Sequence, residues 1–257
     1  MNGLNAFSHE SLFLSMSFSR ILPVSALFVF FLSACSSEPV EPPPFSMNAE
    51  LLTEGRTTSS MMMVTADGER PIGIAHQGVE RGTIDGRDVI HLTLVQELGR
   101  GTMRDSLVID AASLQPIEYF NNMPGLQSIH TTYGPGGTVL ADLERGAMTN
   151  RIDTVLVDPH LDAASFTSML PLLPLAEGLD MEYPVFHYEN GVLTYRVLVP
   201  GTETLATCRG AVDAWIVDVT TALNTTRHWI SRDEGSLVQV LVDLGGGNRF
   251  EQRLVCN

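Results

Sequence analysis

Beyond residue 46 the dominant spacing of apolar positions is two. Val238, Val240, Val242 and Leu244 alternate with Leu237, Gln239, Leu241 and Asp243, and Ile90, Leu92 and Leu94 alternate with Val89, His91 and Thr93. Runs of β-branched and aliphatic residues at this period read as strands. Turn signals recur between them: Asp67-Gly68, Asp85-Gly86, Gly134-Pro135-Gly136-Gly137, Asn190-Gly191, Glu234-Gly235 and Gly245-Gly246-Gly247. Asn-Gly and Asp-Gly tolerate the positive φ of tight hairpins. The spacing predicts an antiparallel meander of roughly ten or more strands. One segment departs from it. Asp158 to Leu175 reads DPHLDAASFTSMLPLLPL, in which Asp162 can cap a short helix and Phe166, Met169 and Leu170 fall at helical spacing. Pro171 and Pro174 then stop it. Such a helix either plugs an open sheet or fills the core. The expected class is mainly β with one short apolar helix. Residues 46–257 show neither a second linker nor a repeat, so they are read as one β-rich domain.

The first 45 residues follow another logic. Ile21 to Ala34, ILPVSALFVFFLSA, is 14 residues without a charge. That is short for a membrane span, which needs about 20 apolar residues. It has the length of a signal-peptide core, and Arg20 supplies the positive flank. Leu32-Ser33-Ala34-Cys35 looks like a bacterial lipobox, in which Cys35 takes a thioether-linked diacylglycerol and becomes the mature N-terminus. Residues 1–34 are therefore read as a lipoprotein signal peptide. Its compact form, MSFSRILPVSALFVFFLSA, places the start of translation at Met16. Residues 35–45 are the lipidated Cys and a tether: SSEPVEPPPF holds four Pro and two Glu, an extended, solvated composition. Ser36 is not the Asp that marks inner-membrane retention in many Gram-negative bacteria. The expected location is the cell envelope, lipid-anchored in the outer membrane and facing the periplasm.

Charge narrows the function. Of 257 residues 30 are acidic and 15 basic, a net charge of −15, and every basic residue is Arg. Without Lys there is no P-loop lysine, no Schiff base and no Ser-x-x-Lys nucleophile. So acidic a chain is repelled by nucleic acid and by anionic headgroups, and no nucleic-acid partner is expected. The seven His stand at 9, 76, 91, 130, 160, 187 and 228, none within five residues of another, and His-Glu-x-x-His is absent. His76 and His91 flank the Asp85-Gly86 turn, but simple register sets His76 opposite about residue 95. No metal or cofactor is expected. No Gly-x-Ser-x-Gly elbow exists. Asp213 and Asp218, five apart in one strand-like run, point to opposite faces and make no acid/base pair by themselves. Asp110 and Asp158 read as turn formers.

Cys208 and Cys256 remain once Cys35 is assigned to lipid. In an oxidising envelope they either pair, stapling the last strand onto the strand near Cys208, or stay as free thiols. Absence of Cys-x-x-Cys argues against a redox role.

The C-terminal stretch carries a recognisable pattern. Gly210-Ala211-Val212-Asp213-Ala214-Trp215-Ile216-Val217-Asp218-Val219 precedes Thr226-Arg227-His228-Trp229-Ile230-Ser231 and Leu237-Val238-Gln239-Val240. Upstream, Asp105-Ser106-Leu107-Val108-Ile109-Asp110 precedes Leu114-Gln115-Pro116-Ile117. Across about residues 70 to 255 the chain resembles the bacterial domain-of-unknown-function family numbered 3108. The resemblance implies a secreted or lipid-anchored β-rich protein. It also implies a curved sheet or half-open barrel similar to the periplasmic lipoprotein carriers and their outer-membrane acceptors. It supplies no catalytic residue.

Trp215 and Trp229, on neighbouring strands, either line a concave apolar cavity with Phe166, Met169 and Leu170 or pack in an ordinary sheet core. The expected function is a non-catalytic, lipid-anchored envelope protein that binds a hydrophobic or amphipathic ligand. Its alternative is a structural or assembly module contacting another envelope protein. An enzyme acting on envelope polymers would require acids or His converging from distant strands.

Overall fold

A computed structural model describes residues 47–99, 101–156 and 160–256. The expected signal segment, Cys35 and the Pro-rich tether lie outside the described residues.

The N-terminal half is a meander of β1 (Gly55–Thr65), β2 (Gly68–Ile84), β3 (Arg87–Leu98), β4 (Gly101–Asp110), β5 (Pro116–Met123), β6 (Gln127–Tyr133), β7 (Thr138–Arg145) and β8 (Met148–Val155). The short β9 (Leu161–Asp162) and helix α1 (Phe166–Met169) follow. A second meander is built from β10 (Asp180–His187), β11 (Gly191–Thr207), β12 (Gly210–Thr220), β13 (Thr225–Ser231), β14 (Leu237–Gly245) and β15 (Asn248–Val255). All fifteen strands form one sheet, ordered β8 to β1 and then β15 back to β9. The first strand of one meander pairs antiparallel with the last of the other, from Thr58 opposite Val255 to Val64 opposite Arg249. Among the described residues only the β9–β10 pairing is parallel.

Local chemistry accounts for the hairpins. Asp85 and Gly86 both take positive φ, 51° and 78°, the type I′ geometry whose twist suits a two-residue β-turn. That turn sets His76 opposite Val95 and His91 opposite Glu80, so the two His do not meet. Asp110 Oδ1 accepts the Ala112 and Ser113 N–H groups and the Ser113 hydroxyl, closing the β4–β5 turn. Register shifts at Met61/Met62, Val108/Ile109, Leu198/Gly201, Trp229/Ile230 and Asp243/Gly245 add twist, because an unpaired residue bends its strand. The sheet is therefore curved, and it is open.

The concave face holds the main core. Leu161, Phe166, Met169, Leu170, Leu172 and Leu173 pack there against Ile90, Leu107, Ile109, Val185, Val197, Val217 and Ile230 of the sheet. The helix is shorter than the apolar run suggests: it makes one turn and passes into a 3₁₀ turn at Leu170–Leu172. Pro171 lacks the N–H that a longer helix would use. Asp162 does not occupy the N-cap position, which belongs to Ser165. It caps the preceding turn, its Oδ1 accepting the Ala164 and Ser165 N–H groups and the Ser165 hydroxyl.

The two margins of the sheet meet through side chains. Phe186 of β10 packs on Val139, Ala141 and Leu156. The Tyr133 hydroxyl donates to Asp162 Oδ2 at 2.6 Å. A third apolar cluster, Ala214, Trp229 and Val238 with Leu205, Val212 and Ile216, lies on the other face.

His228 of β13 is buried opposite Val217 and Val240, both core residues. One ring nitrogen contacts the Thr226 hydroxyl at 2.8 Å, and Nδ1 has no partner among the described residues. Burial pushes the imidazole down from 6.5 to about 4, against a smaller upward pull from Asp218. The unfolded chain therefore binds this proton more tightly than the folded one. The neutral ring costs nothing above pH 6.5, and stability is lost as pH falls from there through 4. About 3 kcal/mol should disappear between pH 7.5 and pH 4. The partly buried Asp105 and the buried Asp162, whose affinity for protons is raised, act in the opposite sense. Urea unfolding of the protein and of His228→Gln at both pH values isolates the term: the variant should lose about 3 kcal/mol less on acidification. Equal losses would remove His228 from the account.

Candidate functional groove

The expected cavity residues do not line a common cavity. Trp215 pairs with Ile230 and Ile216 with Trp229, so the two indoles project from opposite faces of the sheet. Trp215 packs against the main core with the Arg232 guanidinium 4.6 Å from its ring centroid. Trp229 belongs to the outer cluster, its Nε1–H donating to Glu203 at 2.7 Å. Phe166, Met169 and Leu170 are fully packed core. The shared Trp cavity is thus corrected: side chains alternate along a strand, and the β12–β13 register puts the two Trp out of phase.

Cys208 and Cys256 are bonded, with Cα atoms 5.8 Å apart, so the turn between β11 and β12 is tied to the residue that follows β15. Asp213 contacts Thr204, while Asp218 forms a two-point ion pair with Arg227.

Space on the concave face lies beside the helix instead. Two adjoining cavities, of about 390 and 370 Å³, share Gln77, Thr167, Ser168 and Leu237 in their walls. The helical turn divides its faces accordingly. Phe166 and Met169 enter the core, and Thr167 and Ser168 between them face the cavities. The first cavity has an apolar floor of Leu52, Val79, Leu92, Pro171 and Leu237, with Glu54, Arg56, Arg209 and Glu234 also in its lining.

The second cavity is more polar. Cross-strand register lines up Gln77 of β2, Leu94 of β3, Asp105 of β4 and Asn121 of β5 in one inward row. From β15, Phe250 and Gln252 face them. Asp105 Oδ1 accepts two hydrogen bonds, from the Tyr119 hydroxyl at 2.6 Å and from Asn121 Nδ2 at 2.7 Å. Asn121 Oδ1 accepts from Gln127 Nε2, and Gln127 Oε1 from Arg145, which pairs with Glu189. Burial raises the Asp105 carboxyl above the ordinary carboxylate range, with the Tyr119 and Asn121 bonds pulling the other way. Burial, then the Asp105 charge, raises the Tyr119 phenol, and burial raises Tyr188. Among the described residues no three His, Cys, Asp or Glu gather as a metal would require.

A family model described as "Protein of unknown function (DUF3108)" matches residues 61–248. The chain belongs to this family. The DUF3108 match runs from within β1 to the start of β15, so it takes in most of the sheet and most of the lining of both cavities, with Leu52–Thr57, Phe250 and Gln252 outside it. A search of the curated proteins found no match. Among solved structures, the chain is similar to a DUF1329 family protein from Desulfovibrio piger. The TM-score is 0.25 and the identity 10%, over 80% of this chain and 85% of that one.

Sequence reasoning missed the polar row. The available signal was parity: Asp105 shares its strand face with Leu107 and Ile109, an acid in a set that is otherwise apolar and buried.

Proposed function

We propose that this DUF3108 protein is a non-catalytic binding protein of the bacterial envelope, anchored through lipid on Cys35. Its ligand is hydrophobic or amphipathic and occupies the concave groove beside α1. The observation that carries the reading is the pair of adjoining cavities on that face, one with an apolar floor and one in which amides and Asp105 join apolar side chains. Pockets of several hundred Å³ with an apolar lining and a few convergent polar groups are the usual form of small-molecule sites. The lipobox and Pro-rich tether support the anchor and the envelope location. Ser36, where a retention signal would have Asp, supports an outer-membrane position facing the periplasm.

Native mass spectrometry of residues 36–257, secreted to a periplasm without the anchor, should show a bound mass that mild detergent removes. Ser168→Trp, which fills the wall common to both cavities, should abolish that mass with the fold intact by circular dichroism. A clean ligand-free mass in the unaltered protein overturns the groove reading. Incorporation of labelled fatty acid, lost in Cys35→Ser, tests the anchor.

One observation favours a second reading, an assembly module contacting another envelope protein. Strand β8 is a sheet margin with Met148 73% and Val155 60% exposed, the kind of edge that accepts a further strand. A partner that co-purifies in fixed ratio and is lost in Met148→Arg/Val155→Arg would support it.

A further inference from the structure

We infer that the second cavity selects a protonated amine, so that the groove's ligand is an amphipathic molecule with a cationic nitrogen headgroup. This rests on the groove reading and specifies its ligand.

The cavity holds unmatched acceptors. Asp105 is the one carboxylate in the lining of this cavity, and no Arg or His lines it. Both protein hydrogen bonds to Asp105 fall on Oδ1. Among the described residues none reaches Oδ2, and no ion pair involves this carboxylate. Several Arg side chains are committed elsewhere: Arg196 to Asp180, Arg227 to Asp218, Arg253 to Glu69 and Glu251. A partly buried carboxylate without a cation is costly, and an ammonium group both neutralises it and supplies donors.

Three further side chains complete an acceptor set. Gln77, Gln96 and Gln252 line the same cavity, and no side-chain hydrogen bond engages their amides among the described residues. Their carbonyl oxygens can take the remaining donors of an ammonium. The rings of Tyr119, Tyr188 and Phe250 add π faces that favour a cation. An anionic headgroup meets the reverse: no positive side chain in this lining, the Asp105 charge, and a chain of net charge −15. A hydrocarbon tail then runs past Thr167, Ser168 and Leu237, common to both cavities, onto the apolar floor of the first.

The test is titration calorimetry of the full-length protein, held in solution by an amphipathic polymer with the polymer-only heats subtracted. The probes are octylamine, octanol, octanoate and octyl glucoside. Octylamine should bind at least about tenfold more tightly than each of the others, as one charge-assisted hydrogen-bonded contact allows. Asp105→Asn keeps an acceptor for Tyr119 and Asn121 and should erase that preference while leaving octanol binding unchanged. The ranking of the four probes on the unaltered protein needs no variant. Equal binding of all four, or tighter binding of octanoate or octyl glucoside, overturns the amine and leaves the groove standing. Failure of every probe to bind removes the groove reading and the amine together.

Discussion

Replacing Cys208 and Cys256 together by serine is expected to lower the unfolding free energy by about 4 kcal/mol, the chain-entropy value for a closed loop of this size. The bonded pair is 48 residues apart in sequence. Its position makes the loss consequential. Cys208 lies in the turn between β11 and β12, and Cys256 directly follows β15, the strand whose pairing with β1 unites the two meanders. The bond therefore constrains the part of the sheet whose contacts are most distant in sequence and whose closure entropy is largest. For a domain of this size the corresponding fall in Tm is about 10 °C. Thermal and urea unfolding of the double variant, alongside the native protein with and without reductant, measures it. A change under about 1 kcal/mol would mean that the unfolded chain gains little freedom on losing the bond.

Phe166→Ala should be comparably damaging, at about 4 kcal/mol, as for large aromatic truncations in cores. Phe166 is 3% exposed and sits edge-on to Tyr195 with ring centroids 5.1 Å apart. It also contacts Tyr183 at 6.3 Å and anchors the helical turn that fills the concave face. Truncation leaves a void that Leu161, Met169 and Leu170 cannot all collapse into, because each is already packed against the sheet. Denaturant titration should show a reduced midpoint with an unchanged slope. Unaltered stability, with loss of bound ligand, would return Phe166 to a ligand-lining role.

The strands were legible because their signal is local. Period-two alternation and Asp-Gly or Asn-Gly turns depend only on near neighbours, so the Asp85-Gly86 hairpin could place His76 opposite Val95 from sequence. Even the separation of Asp213 and Asp218 onto opposite faces follows from parity within one strand. Relations between strands were another matter. Which of Trp215 and Trp229 faces inward depends on the β12–β13 register, which sets Ile216 against Trp229. The Asp105 site draws on residues from Gln77 to Gln252, and its existence depends on how far the sheet curls.

By itself the sequence determined that the chain is a β-meander with one short apolar helix, which the structure reduces to a single turn, and that its two late cysteines were candidates to pair. Turn chemistry, alternation and proline act over a few residues, and they leave the same imprint whatever the rest of the chain does. Only the tertiary structure decided that β1 joins β15, that the helical turn fills the concavity, and that open space remains beside Thr167 and Ser168. It also placed in that space an acid that forms no ion pair among the described residues. These outcomes depend on bulges, registers and packing between segments far apart in the chain. Burial of a polar residue is a property of the whole sheet, which no short window of sequence contains.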